Sequence, residues 1–452
     1  MKRETIKRRR ETHPSRKIAL SFLGIITAGT LLFLLPFMTR DGKGLPFIQA
    51  LFTATSSVCV TGLTLIDPAV ALTRWGQALL LILIEVGGVS MVTFATFFIF
   101  LFKKRSGLRS LRLAQEYTNL DSMSQVKPLV RTIIATTVGC QIVGAAVLCI
   151  YFVPELGGKG VWVSIFTSVS AYCNAGFDLF GTIQSFGSLA PFNGEPLVMY
   201  TVMALIVTGG LGFYVFYDLL TYRQTGKLSL HTRTVALFTV LLIAYGFIHV
   251  LAVEYNNPET LGALPVSQKI TASLFQSITT RTAGFSSIEI NATHDLTKIG
   301  MIMLMFIGAG TGSTGGGIKI TTFAVLFMSV ISVLRNRRDT EIFHRKVERS
   351  VVMKSLSVAL LGMLVVYLTV FVLLLDSPDA GGVRILFEAV SAFSTAGLSC
   401  GVSVACGIAG KLALIFAMFV GRLGPLCFII AINDREESRA EEVIPSGRIM
   451  VG

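Results

Sequence analysis

The chain has 452 residues, of which 52% are hydrophobic and only 14% charged, with a mean hydropathy of +0.70. A soluble domain carries about 25% charged residues, so this composition excludes an ordinary soluble enzyme or binding domain and calls for a bilayer. The net charge of +13 does not read as a nucleic-acid face, because 25 of the 39 Lys and Arg fall in segments 1–17, 103–131, 222–233 and 335–354, each beside a long apolar run, as cytoplasmic loops do.

In chain order, a basic N-terminus (1–17) precedes the first apolar run, 18–38. That run has no small-residue cleavage pattern, so it is expected to be a retained spanning helix and not a removed signal. Further spans are predicted near 74–102, 130–153, 196–222, 234–254, 297–334, 351–375 and 410–432. Each is long enough to cross about 30 Å of hydrocarbon. Between the members of each pair lies a shorter apolar stretch, at 46–59, 161–173, 270–281 and 384–394. Such a length suits a re-entrant half-helix. The predicted fold is an all-α membrane protein with eight transmembrane helices. Four parallel helix–pore-helix–helix repeats, at 18–102, 130–222, 234–334 and 351–432, would surround a central ion pore, and a tail (433–452) would follow. Each repeat crosses an even number of times, so both termini and the basic inter-repeat loops fall on one side, the cytoplasmic side of the cell membrane.

The repeats are visible in the residues. The half-helices carry Leu51-Phe52-Thr53, Ile165-Phe166-Thr167, Leu274-Phe275-Gln276 and Leu386-Phe387-Glu388. They lead into Val60-Thr61-Gly62-Leu63, Asn174-Ala175-Gly176-Phe177, Thr282-Ala283-Gly284-Phe285 and Thr395-Ala396-Gly397-Leu398. The glycines are 114, 108 and 113 residues apart. Non-helical backbone at membrane depth is tolerated only where it is buried in protein or lines water. Four such loops about one axis would present carbonyl rings able to replace the hydration shell of potassium. Glycine supplies backbone angles closed to other residues. Asp67, Asp178 and Glu289 follow three of the glycines and are expected at the outer mouth, where they would concentrate cations.

The second helices carry small residues: Val86-Gly87-Gly88-Val89-Ser90, Thr208-Gly209-Gly210-Leu211-Gly212 and Gly421-Arg422-Leu423-Gly424-Pro425. In the third repeat the run is Gly308-Ala309-Gly310-Thr311-Gly312-Ser313-Thr314-Gly315-Gly316-Gly317, with seven of ten residues Gly or Ala. No helix survives such a stretch cheaply. The third repeat's second helix is therefore expected to break into a plug beneath the filter, its polar groups in a wet cavity. A phosphate loop would need Gly-Lys-Ser/Thr after a strand, whereas Lys319 follows Ile318. Arg422 lies inside an apolar span, and an intramembrane arginine is a functional candidate. It would face the pore axis or hydrogen-bond the glycine-loop carbonyls, with pairing to Glu85 or Glu388 as the bland alternative. Lys319 and Glu85 suit structural pairing at least as well as a direct role, and Arg281 suits bracing of the third filter strand. The seven cysteines form no CxxC pair and suit small buried side chains. The five histidines build no zinc-protease motif and no triad, so no catalytic constellation is expected.

These segments resemble those of the Trk/Ktr/HKT potassium transporters, most closely the bacterial KtrB type of membrane subunit, over about residues 17–433. The resemblance implies potassium bound at a filter built from Val60, Thr61, Gly62, Asn174, Ala175, Gly176, Thr282, Ala283, Gly284, Thr395, Ala396 and Gly397. It implies an intramembrane gate formed by Gly310–Gly317 with Arg422. Gly62 fits potassium-selective members, since plant relatives preferring sodium often carry Ser there. It further implies a homodimer with one pore per subunit, a KtrA-like cytosolic ring of nucleotide-binding regulatory subunits as partner, and sodium as an activator. No cofactor in the chain itself and no nucleic-acid partner are expected. A secondary transporter coupled to sodium or protons is the alternative, although such transporters more often use inverted repeats.

Overall fold

The computed structural model describes residues 14–89 and 126–432. The basic segment 1–13, most of the basic loop 103–131, the distal part of the span expected at 74–102 and the tail 433–452 lie outside the described residues.

The described chain is mostly helical. Helices α1 (Pro14–Phe33), α2 (Phe47–Val58) and α3 (Arg74–Gly88) come first. They are followed by α4 (Val126–Leu156), α5 (Gly158–Tyr172), α6 (Pro196–Leu211) and α7 (Phe213–Thr225). Next are α8 (Leu230–Glu254), α9 (Val266–Thr279), α10 (Asp295–Phe306) and α11 (Ile320–Leu334). The last are α12 (Arg349–Asp376), α13 (Gly382–Ser394), α14 (Ile408–Leu423) and α15 (Pro425–Ile432). A small antiparallel hairpin pairs Glu341–Ile342 with Arg345–Lys346 on the loop before α12.

Among the described residues, four helices (all of α8 and α12, and most of α1 and α4) are long and apolar enough to cross a membrane. No more than a third of the most apolar stretch of each is covered by the rest of the chain. Their outward residues, such as Leu360, Leu364, Leu368 and Leu375 of α12, are exposed. In water that surface would be a large penalty, whereas hydrocarbon accepts it. This is a multi-pass membrane protein.

Two spans expected to run straight are broken. The α6–α7 pair bends by 87° at Gly212, and the α14–α15 pair by 96° at Gly424. Both glycines hold positive φ, +98° and +86°, which a residue with a Cβ reaches only with strain. Pro425, with no N–H to give, follows the second break. The break expected in the third repeat is present, with residues 307–319 separating α10 from α11.

The short helices fix how the spans meet. Besides neighbours adjacent in sequence, α5 packs on α3, α9 on α6 and α13 on α10, while α2 packs on α14. The last contact joins the two ends of the chain and closes a ring. The aromatic residue near the middle of each short helix (Phe52, Phe166, Phe275 and Phe387) is wholly buried. Small residues on the longer helices let these packed ends approach. A Cβ at Gly87 would meet the Val58 carbonyl at 2.1 Å, at Gly209 the Tyr172 carbonyl at 1.9 Å, and at Gly421 the Phe393 carbonyl at 1.7 Å. The three carbonyls occupy the same position, four residues before a segment glycine.

Candidate functional site

The C-terminal ends of α2, α5, α9 and α13 point their following segments at one another. In all four, the residue two before the glycine is left-handed: Val60 at φ +56°, Asn174 at +57°, Thr282 at +68° and Thr395 at +50°. Three of these are β-branched, for which that region is costly. The glycines are positive too, Gly62 at +94°, Gly176 at +67°, Gly284 at +83° and Gly397 at +85°. Left-handed residues at every second position take these segments out of regular strand geometry.

The intervening residue anchors each segment to its helix. Thr61, Ala175 and Ala396 donate their N–H groups to Ser56, Ser170 and Ser391 carbonyls at 2.8 Å, and Ala283 to that of Thr279 at 2.9 Å. Beyond the glycine a second device recurs, which sequence reasoning missed. The side chain two residues after each glycine accepts from the N–H two further on: Thr64 from Ile66 (3.2 Å), Asp178 from Phe180 (2.9 Å), Ser286 from Ile288 (3.4 Å) and Ser399 from Gly401 (2.9 Å). Aligning the copies on their glycines would have exposed it, since Thr, Asp and Ser are the residues that make such turns.

The glycines themselves meet in a ring. A Cβ at Gly62 would lie 2.6 Å from the Ala175 carbonyl, and one at Gly176 2.9 Å from that of Ala283. At Gly284 it would lie 3.0 Å from Ala396 O, and at Gly397 2.1 Å from Thr61 O. Each glycine thus abuts the carbonyl of the next segment in turn. Eight of the twelve residues expected at the filter, Thr61, Gly62, Ala175, Gly176, Ala283, Gly284, Ala396 and Gly397, meet in this ring. Asp67 and Asp178 line a cavity of about 30 Å³ with Gly62, Gly176 and Phe186. That space admits a water or a small ion. Scarcity of water pushes the Asp178 carboxyl up to about 6 against the opposing Phe180 N–H, and the Asp67 charge adds to the rise. Glu289, expected at the same mouth, is exposed.

The glycine-rich loop lies directly inside this ring. Cβ atoms at Gly315 and Gly316 would meet Thr282 Oγ1 at 2.3 Å and Thr395 Oγ1 at 2.0 Å. Part of its main chain bonds to protein: Gly308 N–H donates to Ile318 O (2.9 Å), Gly310 N–H to Gly210 O (2.8 Å) and Thr314 N–H to Gly209 O (3.3 Å). Phe213 N–H, at the start of α7, donates to Gly312 O (2.9 Å), and Thr311 Oγ1 meets Thr321 Oγ1 at 2.6 Å. Lys319 Nζ donates to Gly315 O at 2.5 Å. Arg422, half-buried, donates to the carbonyls of Thr314 and Gly87, so the loop-binding alternative is the arrangement present. The acids weighed as its partners are engaged elsewhere: Glu85 accepts from Gln141 Nε2 (2.8 Å) and Cys173 Sγ (3.4 Å), and Glu388 from the loop after Gly397. Arg281 is buried beside Thr282, its Nε without a hydrogen-bond partner. The hydroxyls of Thr61, Thr282, Ser313 and Thr395 are likewise buried and unpartnered.

The TrkH family model, described as a cation transport protein, matches residues 7–440. The chain belongs to this family. It is 37% identical over 440 residues to the Ktr system potassium uptake protein B of Bacillus subtilis, covering 97% of each chain. It is 36% identical to the potassium/sodium uptake protein NtpJ of Enterococcus hirae, covering 98% of each. The potassium transporter TrkH of Vibrio parahaemolyticus has a similar fold, with a TM-score of 0.71 at 18% identity, over 95% of this chain and 86% of that one. A TrkH-family protein is a cation transporter and not an enzyme.

Proposed function

We propose that this TrkH-family chain carries potassium across the cell membrane through the ring of four glycine segments. The observation that carries the reading is the ring itself. Four backbones, each turned left-handed at the glycine and two residues before it, abut carbonyl to glycine around one axis. Carbonyls so gathered substitute for the water around a large monovalent cation. The unpartnered hydroxyls of Thr282 and Thr395 add oxygen at the inner end. The relatives named for potassium uptake support the choice of ion.

In this reading the chain holds four helix–pore-helix–helix repeats and eight spans, with α6–α7, α10–α11 and α14–α15 each counted as one. Residues 310–317 form the gate, held shut by Arg422, whose charge also opposes a cation on the axis. Two copies assemble, each with its own pore, and a cytosolic nucleotide-binding ring acts on the inner face. Sodium activates uptake. Relatives named as parts of a Ktr system support a multi-subunit assembly.

The test is uptake in a bacterium lacking its own potassium transporters, with a cognate regulatory subunit supplied. Rescue at low potassium by the wild type, weakened by Gly284→Ser, is expected. Wild-type protein present in the membrane with its regulator, yet giving no potassium flux, would overturn the reading.

A further inference from the structure

The four glycine segments are not held alike. The difference lies in the residue after the buried phenylalanine of each short helix: Thr53, Thr167, Gln276 and Glu388. Glu388 is wholly buried in α13. One carboxylate oxygen accepts from Ser399 Oγ (2.8 Å) and Ser403 N–H (3.1 Å), and the other from Cys400 N–H (3.0 Å). Cys400 lies three residues after Gly397. At the matching place three residues after Gly284, Ser287 gives its N–H to Gln276 Oε1 at 3.4 Å, and its hydroxyl lies within 3.4 Å of the same oxygen. Gln276 is also wholly buried. In the first two segments the position holds threonine, whose side chain is shorter, and the buried hydroxyls of Thr53 and Thr167 find no partner. The small cavity opens between those two segments, against Gly62 and Gly176.

We propose that Glu388 and Gln276 are positioning residues for ion selectivity. Each ties the residue three beyond the glycine of its own segment to its own short helix, a tie that the threonines of the first and second short helices do not make. The inference rests on the reading of these segments as the ion filter. Discrimination between potassium and sodium requires carbonyls held to within about 0.5 Å, and hydrogen bonds to an ionised acceptor are the stronger kind. A buried carboxylate in a membrane protein is expensive. Three donors from one loop account for its retention at a place where a hydrophobic residue would otherwise pack.

The experiment compares the wild type, Glu388→Ala, Glu388→Gln and Gln276→Ala as full chains reconstituted in vesicles, reading the half-saturating potassium concentration and the potassium-to-sodium flux ratio. Glu388→Ala is expected to raise half-saturation roughly tenfold and narrow the ratio similarly, the scale of one lost hydrogen bond to a charged group. Glu388→Gln is expected to fall between, because its carbonyl oxygen repeats the Gln276 arrangement. Wild-type half-saturation and ratio in Glu388→Ala would overturn the proposal. So would a Glu388→Gln as impaired as the alanine variant, which would assign the effect to charge. If Glu388→Ala does not reach the membrane folded, Gln276→Ala carries the same two readouts, and unchanged values in it overturn the proposal. A wild type without potassium-selective flux would instead sink the filter reading.

Discussion

Phe213 gives its main-chain N–H to the carbonyl of Gly312 at 2.9 Å, which joins the kink between α6 and α7 to the middle of the glycine-rich loop. The kink exists because Gly212 holds φ +98° with the Thr311 carbonyl 2.6 Å from where a Cβ would stand. Gly212→Ala is therefore expected to destabilise the region by about 1–3 kcal/mol through backbone strain and to loosen the loop. A lower melting temperature in detergent together with a raised potassium leak checks this. An unaltered melting temperature would show that the kink is not strained by a side chain.

Arg422 supports two predictions in one series. Arg422→Gln removes a charge held against the loop, and like charges at close range in a low-dielectric site repel by several kcal/mol at most. Unregulated flux is expected to rise tenfold or more. Arg422→Lys keeps the charge but cannot span the Thr314 and Gly87 carbonyls with a planar fork, so its flux is expected to lie between the two. Equal flux in all three proteins would remove Arg422 from the gate.

The glycine ring predicts a sharp contrast between positions. Gly397→Ala places a methyl 2.1 Å from the Thr61 carbonyl, whereas Gly42, also at positive φ (+68°), has open space around it. Gly42→Ala is expected to cost only the backbone strain and to leave flux intact. Gly397→Ala is expected to cut potassium flux by roughly a hundredfold, as displacements of about 1 Å at a reacting centre do. Flux measured in vesicles at matched protein content decides it.

Acid is expected to weaken potassium uptake from outside. The folded-state pKa of Asp178 is raised to about 6, so the charged form is present above that value and is lost as pH falls through it. The half-saturating potassium concentration should rise between pH 7 and 5, and Asp178→Asn should flatten that dependence. The sign for stability is the reverse: the folded state holds this proton more tightly than the unfolded chain, so this group disfavours folding as pH rises from about 4 to 6. A wild-type uptake curve indifferent to external pH would exclude Asp178 from the ion's approach.

Much of this was legible in the residues. Four copies of an aliphatic-Phe pair followed by a glycine marked the short helices, and the six glycines and one alanine of 308–317 announced the break between α10 and α11. What pattern could not give were the interruptions at Gly212 and Gly424. A lone glycine in an apolar run is compatible with a straight helix until a neighbour demands the bend, and at Gly212 the neighbour is a loop a hundred residues later. The partners of Glu388 were not foreseen, because two of its three donors are main-chain N–H groups, which carry no signature in sequence.

The contact between the first and last segments has a consequence for how the protein is made. Arg422 reaches the Gly87 carbonyl across 335 residues, and Gly397 meets Thr61 across a similar stretch of chain. During synthesis the first segment enters the membrane long before its partner exists, leaving strained, unsatisfied backbone that hydrocarbon tolerates poorly. The ring is therefore completed only as the final helices insert. Chains cut short before α13 should be recognised as unfinished by membrane quality control and not persist as leaky half-pores.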